Sequence, residues 1–114
     1  MEYLLLIYED ERNWVNKTEA ELEPAMDGHR RFLKEFAGMI KGGNALKPTC
    51  EAKTVRLRAG KPFSIDGPFA ETKEQLGGYY LVDATSLEDV IRAAAKLPEA
   101  VSGSIEVRPI LKHS

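Results

Sequence analysis

A chain of 114 residues, 43% hydrophobic and 30% charged, is long enough for one packed core, too short for two, and too apolar to remain disordered. Its net charge of -2 gives no field that would draw nucleic acid or anionic lipid, and no apolar run reaches the length of a membrane span. The opening MEYLLLIYEDER has neither a basic leader nor a small-residue cleavage site. The expectation is one domain over residues 1–114, cytoplasmic, without a nucleic-acid or membrane partner. Cys50 is the lone cysteine, which excludes an internal disulfide and leaves a thiolate nucleophile without an evident activating partner.

Tyr3-Leu4-Leu5-Leu6-Ile7-Tyr8 is a continuous apolar run of strand length that wants cover on both faces. A helix follows. Thr18 and Glu21 have capping-box spacing, Pro24 offers a second starting point, and Gly42-Gly43 reads as the stop. Its apolar stripe runs through Leu22, Met26, Leu33, Phe36 and Ile40, with Ala25, Phe32 and Met39 widening it and His29 inside the series. Residues 54–58 alternate as a strand, Ala59-Gly60-Lys61-Pro62 turns the chain, and residues 63–65 return as the partner strand.

Residues 78–84 form another apolar strand. Ser86, with Asp89 three residues on, caps a second helix bearing Leu87, Val90, Ile91, Ala94 and Leu97, and Pro98 stops it. Residues 104–110 close the chain as a strand, with Ile105, Val107 and Pro109 on one side and Glu106, Arg108 and Ile110 on the other. The order β, α, β hairpin, β, α, β predicts an α+β fold of the ferredoxin-like, split βαβ kind: an antiparallel sheet with both helices on one face. Strands apolar on both sides then leave one face bare, and a second copy of the sheet is the simplest cover, so a homodimer is expected.

The stretch DGPFAETKEQLGGYYLV at residues 66–82 carries the sharpest signal. Asp-Gly-Pro is a turn former: Asp bonds its own downstream backbone, Gly accepts positive φ, and Pro fixes φ while removing a donor. The stretch resembles the signature of the YCII-related proteins, in the branch marked by an Asp-Gly-Pro-Phe motif. The first strand, the helix SLEDVIRAAAKLP and the terminal SIEVRP agree with it, while residues 44–53 are the least distinctive. The resemblance implies a ferredoxin-like domain assembled as a dimeric α+β barrel. It also implies a His and acid pair in a cleft, with His29 matching the histidine and Met39 standing where that pattern has its acid. Some relatives act on small aromatic or chlorinated compounds, and some members of the branch are encoded beside, or fused to, extracytoplasmic-function sigma factors.

A histidine in an apolar helical stripe either sits in the core with a hydrogen-bond partner or lines a cavity, where imidazole suits proton transfer near neutral pH. Asp66 is the candidate acceptor for His29, because the turn would hold its carboxylate rigidly at a strand end; the same residue can equally serve the turn alone. Lys73, flanked by Glu71 and Glu74, belongs to a solvated segment or joins Arg56 or Arg108 in holding an anionic substrate group. Arg108 has a surface ion pair as its plain alternative. Tyr79 and Tyr80 point to opposite faces, so one lines a pocket and the other packs at the dimer, and Tyr79 is taken as the substrate-binding one. Arg30-Arg31 reads as a solvated face and His113 as idle in the tail. No phosphate loop, dinucleotide turn or metal-ligand spacing is present, so no cofactor and no metal are expected. Two functions follow: a small-molecule enzyme of lyase, isomerase or hydrolase type using His29 and Asp66, or a non-catalytic ligand-binding or regulatory module, in association with a sigma factor.

Overall fold

The computed structural model describes residues 1–112, so His113 lies outside the described residues. The chain runs β1 (Glu2–Glu9), α1 (Glu19–Glu35), β2 (Ile40–Ala45), β3 (Lys53–Arg58), β4 (Lys61–Asp66), β5 (Gln75–Asp83), α2 (Leu87–Ala94), α3 (Glu99–Ser102) and β6 (Ser104–Pro109). Four strands form one sheet in the order β2-β5-β1-β6, each neighbour antiparallel to the next. With α1 linking β1 to β2 and α2 and α3 lying between β5 and β6, this is the expected ferredoxin-like split βαβ arrangement.

Alternation along β1 sends Tyr3, Leu5 and Ile7 to one face, where all three are buried. Their partners across β5 are Val82, Tyr80 and Gly78. Phe32 from α1 and Val90 and Ala93 from α2 close over this face in a single cluster with Leu5 and Val82. Both helices therefore cover the same side. On the other side Leu4, Leu6, Tyr79 and Leu81 share a face that no helix covers and stay half-buried.

α1 starts at the expected capping box: Thr18 Oγ1 accepts from the Glu21 N–H and the Glu21 carboxylate accepts from the Thr18 N–H, each at 3.1 Å. Its end differs from expectation. The helix stops at Glu35, and Gly42 and Gly43 lie inside β2. Met39 and Ile40 prolong the helical spacing of apolar residues, which conceals the change to a strand that pairs Ile40 with Val82 and Gly43 with Tyr80.

The predicted hairpin also forms but stands apart from the main sheet, β3 pairing only with β4. Ala59 and Gly60 both have positive φ, 52° and 75°, as a two-residue primed turn requires. Every residue of β4 is exposed. The fourth strand of the sheet is thus β2, a Gly-rich edge strand, and not the hairpin. α2 ends at Ala94, short of Pro98; Leu97 is nonetheless buried in the core, and α3 begins just after Pro98. Among the described residues no helix is long and apolar enough to cross a membrane.

Candidate functional site

α1 does not lie flat on the sheet along its whole length. Met26 and Leu33, in the apolar stripe, remain 48% and 44% exposed, because they form one wall of a cleft rather than part of the core. The cleft holds about 610 Å³ between α1 and the β2–β5 edge of the sheet, and Leu22, Ile40 and Leu46 extend its apolar lining. His29, Tyr80 and Glu99 bring polar groups to this lining.

The three side chains are joined. Tyr80 Oη stands 2.7 Å from His29 Nδ1, and the Glu99 carboxylate meets His29 Nε2 from the other side, with Oε2 at 2.9 Å and Oε1 at 2.8 Å. Only Oε2 lies in a hydrogen-bonding direction, so Oε1 is in ion-pair range yet buried without a hydrogen-bond partner among the described residues. Glu99 is 7% exposed, a rare degree of burial for a carboxylate. Its attachment to an imidazole N–H offsets part of the cost of that burial.

Two glycines make the arrangement possible. Gly28 precedes His29 on α1, and a Cβ there would lie 2.9 Å from Pro98 Cγ; its absence lets the segment carrying Glu99 pack against the helix. A helical glycine costs about 1 kcal/mol relative to alanine, and here it secures this close approach. Gly43 lies opposite Tyr80, and a Cβ there would come within 2.6 Å of Tyr80 Cδ1. The bare strand leaves room for the Tyr80 ring, which packs on Phe32 at 4.9 Å between centroids and tilts toward His29 at 5.8 Å.

Burial, and next the negative charge of Glu99, push the Tyr80 phenol above its ordinary value. Tyr80 therefore keeps its proton, and in the tautomer where its hydroxyl donates to Nδ1, the ring's Nε2–H donates to Glu99. A raised acid favours the protonated folded state, so its contribution is full below the ordinary tyrosine value of about 10 and is lost as pH climbs through the folded value. In a spectrophotometric titration a component ionising above the ordinary tyrosine range is expected, and Tyr80→Phe should remove that late component. A Tyr80→Phe curve that keeps it would contradict the assignment.

Of the residues proposed from sequence, His29 stands at this site. Asp66 does not meet it. The Asp66 side chain is 85% exposed at the end of β4 and ion-pairs with Lys53 across the hairpin. The reason is geometric: the hairpin left the sheet, and the Asp-Gly-Pro turn went with it. Gly67 takes φ 96°, its N–H bonds the Ala52 carbonyl at 2.7 Å, and Thr54 Oγ1 bonds the Gly67 carbonyl at 2.9 Å, so the turn fastens the base of the hairpin.

Lys73 is exposed in the segment between β4 and β5 and is absent from the cleft lining. Arg108 pairs with Glu106 through Nε at 2.8 Å on the helix-free face. Tyr79 contributes to the cleft wall, but its hydroxyl accepts from Asn44 Nδ2 at 2.9 Å on the helix-free side, while Tyr80 carries the hydroxyl that reaches His29. Glu99 escaped sequence reasoning altogether; the one local signal was an acid held directly behind Pro98. Among the described residues no group of three or more His, Cys, Asp or Glu is placed to hold a metal ion.

An uncharacterized protein of Rhizobium meliloti (strain 1021) is 39% identical over 115 residues, which cover 96% of this chain and 92% of that protein. Among solved structures, 5-chloro-2-hydroxyhydroquinone dehydrochlorinase from Burkholderia phenoliruptrix AC1100, in complex with 2,5-dihydroxybenzoquinone, aligns with a TM-score of 0.49 at 15% identity, covering 100% of this chain and 96% of that one. The model of the YCII-related domain matches residues 1–114, and the chain belongs to the YCII-related family.

Proposed function

We propose that this YCII-related protein is a small-molecule enzyme whose cleft between α1 and the sheet carries out acid–base chemistry, of lyase, isomerase or hydrolase type, with His29, Tyr80 and Glu99 as the working group. The observation that supports it most is the geometry of His29: an imidazole bonded on both nitrogens, by a protonated phenol and a buried carboxylate, on the wall of a largely apolar cleft. A residue needed only for packing would not require a buried, half-satisfied carboxylate behind it.

The chemistry follows from the placement. Tyr80 presents its hydroxyl oxygen beside the cleft, and a substrate oxygen or acidic C–H brought there exchanges a proton with it. As Tyr80 passes its own proton to Nδ1, Glu99 stabilises the imidazolium that forms, so charge never stands unpaired in the apolar surroundings. The apolar walls suit a small, flat, mainly hydrocarbon body bearing a hydroxyl or carbonyl. A panel of simple phenols and quinones followed by NMR tests this reading. Ligands that bind should shift His29, Tyr80 and the methyls of Met26 and Leu33 together; shifts confined to the helix-free face or the hairpin would contradict it.

The second reading is a non-catalytic sensor of the Asp-Gly-Pro-Phe branch that works with a sigma factor. It is favoured by the full occupancy of both imidazole nitrogens, which leaves the ring without a free lone pair to attack a substrate. Under either reading we infer a homodimer in which the helix-free faces, with Leu4, Leu6, Tyr79 and Leu81, pack against each other. Light scattering at micromolar concentration should give twice the chain mass. A stable monomer would remove this assembly.

A further inference from the structure

A second hollow lies behind the cleft. It encloses about 510 Å³ and is lined by Arg12, Lys17 and Glu21, all exposed to solvent, and by Val101 and Ser102 at the end of α3. The two cavities share a wall made of Glu9, Trp14, Leu22, Ala25 and Glu99. Glu99 is thus the one member of the His29 group that lines both, and its carboxylate keeps acceptor capacity beyond His29, since Oε1 has no hydrogen-bond partner among the described residues.

We propose that Glu99 is a proton outlet, passing the Nε2 proton of His29 to water in the rear hollow while a substrate fills the front cleft. The proposal deepens the acid–base reading of the site and rests on it. The front cleft is mostly apolar and would be filled by its ligand, so a proton taken up at Nδ1 has no route back to solvent on that side. From the imidazolium, the Nε2–H bond breaks as an O–H bond forms on Glu99, leaving a ring protonated at Nδ1 and a neutral carboxylic acid. The acid then gives that proton to a water in the rear hollow and returns to carboxylate. One proton enters at Tyr80 and one leaves at the rear, and no redox change occurs. In the ring's new tautomer Nδ1–H donates to Tyr80, which turns that hydroxyl's own proton toward the cleft. Glu99 is a positioning and relay residue in this scheme, since it acts through His29.

The test needs no substrate, so it can fail while the acid–base reading stands, or hold while that reading falls. In the full-length protein the exchange of the His29 Nε2 proton with water is measured by imidazole NMR, the signal being assigned by its loss in His29→Gln. Glu99→Gln keeps an acceptor for Nε2–H but cannot carry a proton, and exchange should slow by about 10-fold or more. Val101 is 93% exposed and lines only the rear hollow, so Val101→Trp is expected to cover that hollow and slow exchange without touching the joined groups. Unchanged exchange in Glu99→Gln, with the ring still protonated on Nε2, would overturn the proposal. Should that variant fail to fold, Val101→Trp decides: slowed exchange supports the outlet and unchanged exchange overturns it.

Discussion

Gly43→Val is expected to cost about 3 kcal/mol or more and to detach Tyr80 from His29, while Gly42→Val, one residue away, should be nearly neutral. A Cβ at residue 43 would lie 2.6 Å from both the Tyr79 carbonyl oxygen and Tyr80 Cδ1, whereas a Cβ at residue 42 meets nothing within 4 Å. The backbone oxygen belongs to the central strand β5 and cannot move without breaking pairing on both of its sides. The Tyr80 ring is held by Phe32 and His29. Forced overpacking of this kind costs roughly 1–3 kcal/mol even where side chains can yield, and valine adds two methyls to the clash. Urea denaturation of the two variants side by side gives the comparison. Equal midpoints would show that the bare strand beneath Tyr80 is not a packing requirement.

The same glycine shows what could and could not be read from the chain. The unbroken apolar run of β1 and the spacing of Leu87, Val90, Ala94 and Leu97 report burial directly, because a strand covered on both faces keeps no polar positions and a one-sided core imposes a period of about 3.6 on helices. Those elements and the ferredoxin-like order are legible for that reason. Gly42-Gly43 was not. Two glycines after an apolar helical stripe satisfy a helix stop, and only the pairing of Gly43 with Tyr80 reveals a strand bared for a neighbour's ring.

The site divides along the same line. His29 stood out because a titratable ring interrupts an apolar stripe, but that stripe served two surfaces: Phe32 is 1% exposed in the core, while Met26 and Leu33 wall the cleft. Periodicity measures which face is apolar, not whether the facing space is filled. Tyr80 and Glu99 lie 51 and 70 positions from His29, contacts that local pattern does not encode. Asp66 heads an unmistakable Asp-Gly-Pro turn signal, but its exposed carboxylate pairs with Lys53 across the hairpin, while the turn itself is held through Gly67, whose φ is 96°.

Acid–base chemistry in the cleft requires that His29 handle protons. His29→Gln preserves an amide oxygen able to accept from Tyr80 and an amide N–H able to donate to Glu99, while removing the titrating ring. The fold and the cleft should therefore survive. The direct measurement is the turnover of any small phenol or quinone that the protein converts, in His29→Gln and, beside it, Asp66→Asn. The expected result is a fall of roughly 100-fold or more for His29→Gln with unchanged thermal stability, and near-parental turnover for Asp66→Asn. Full turnover in a folded His29→Gln protein, or loss confined to Asp66→Asn, would contradict the account.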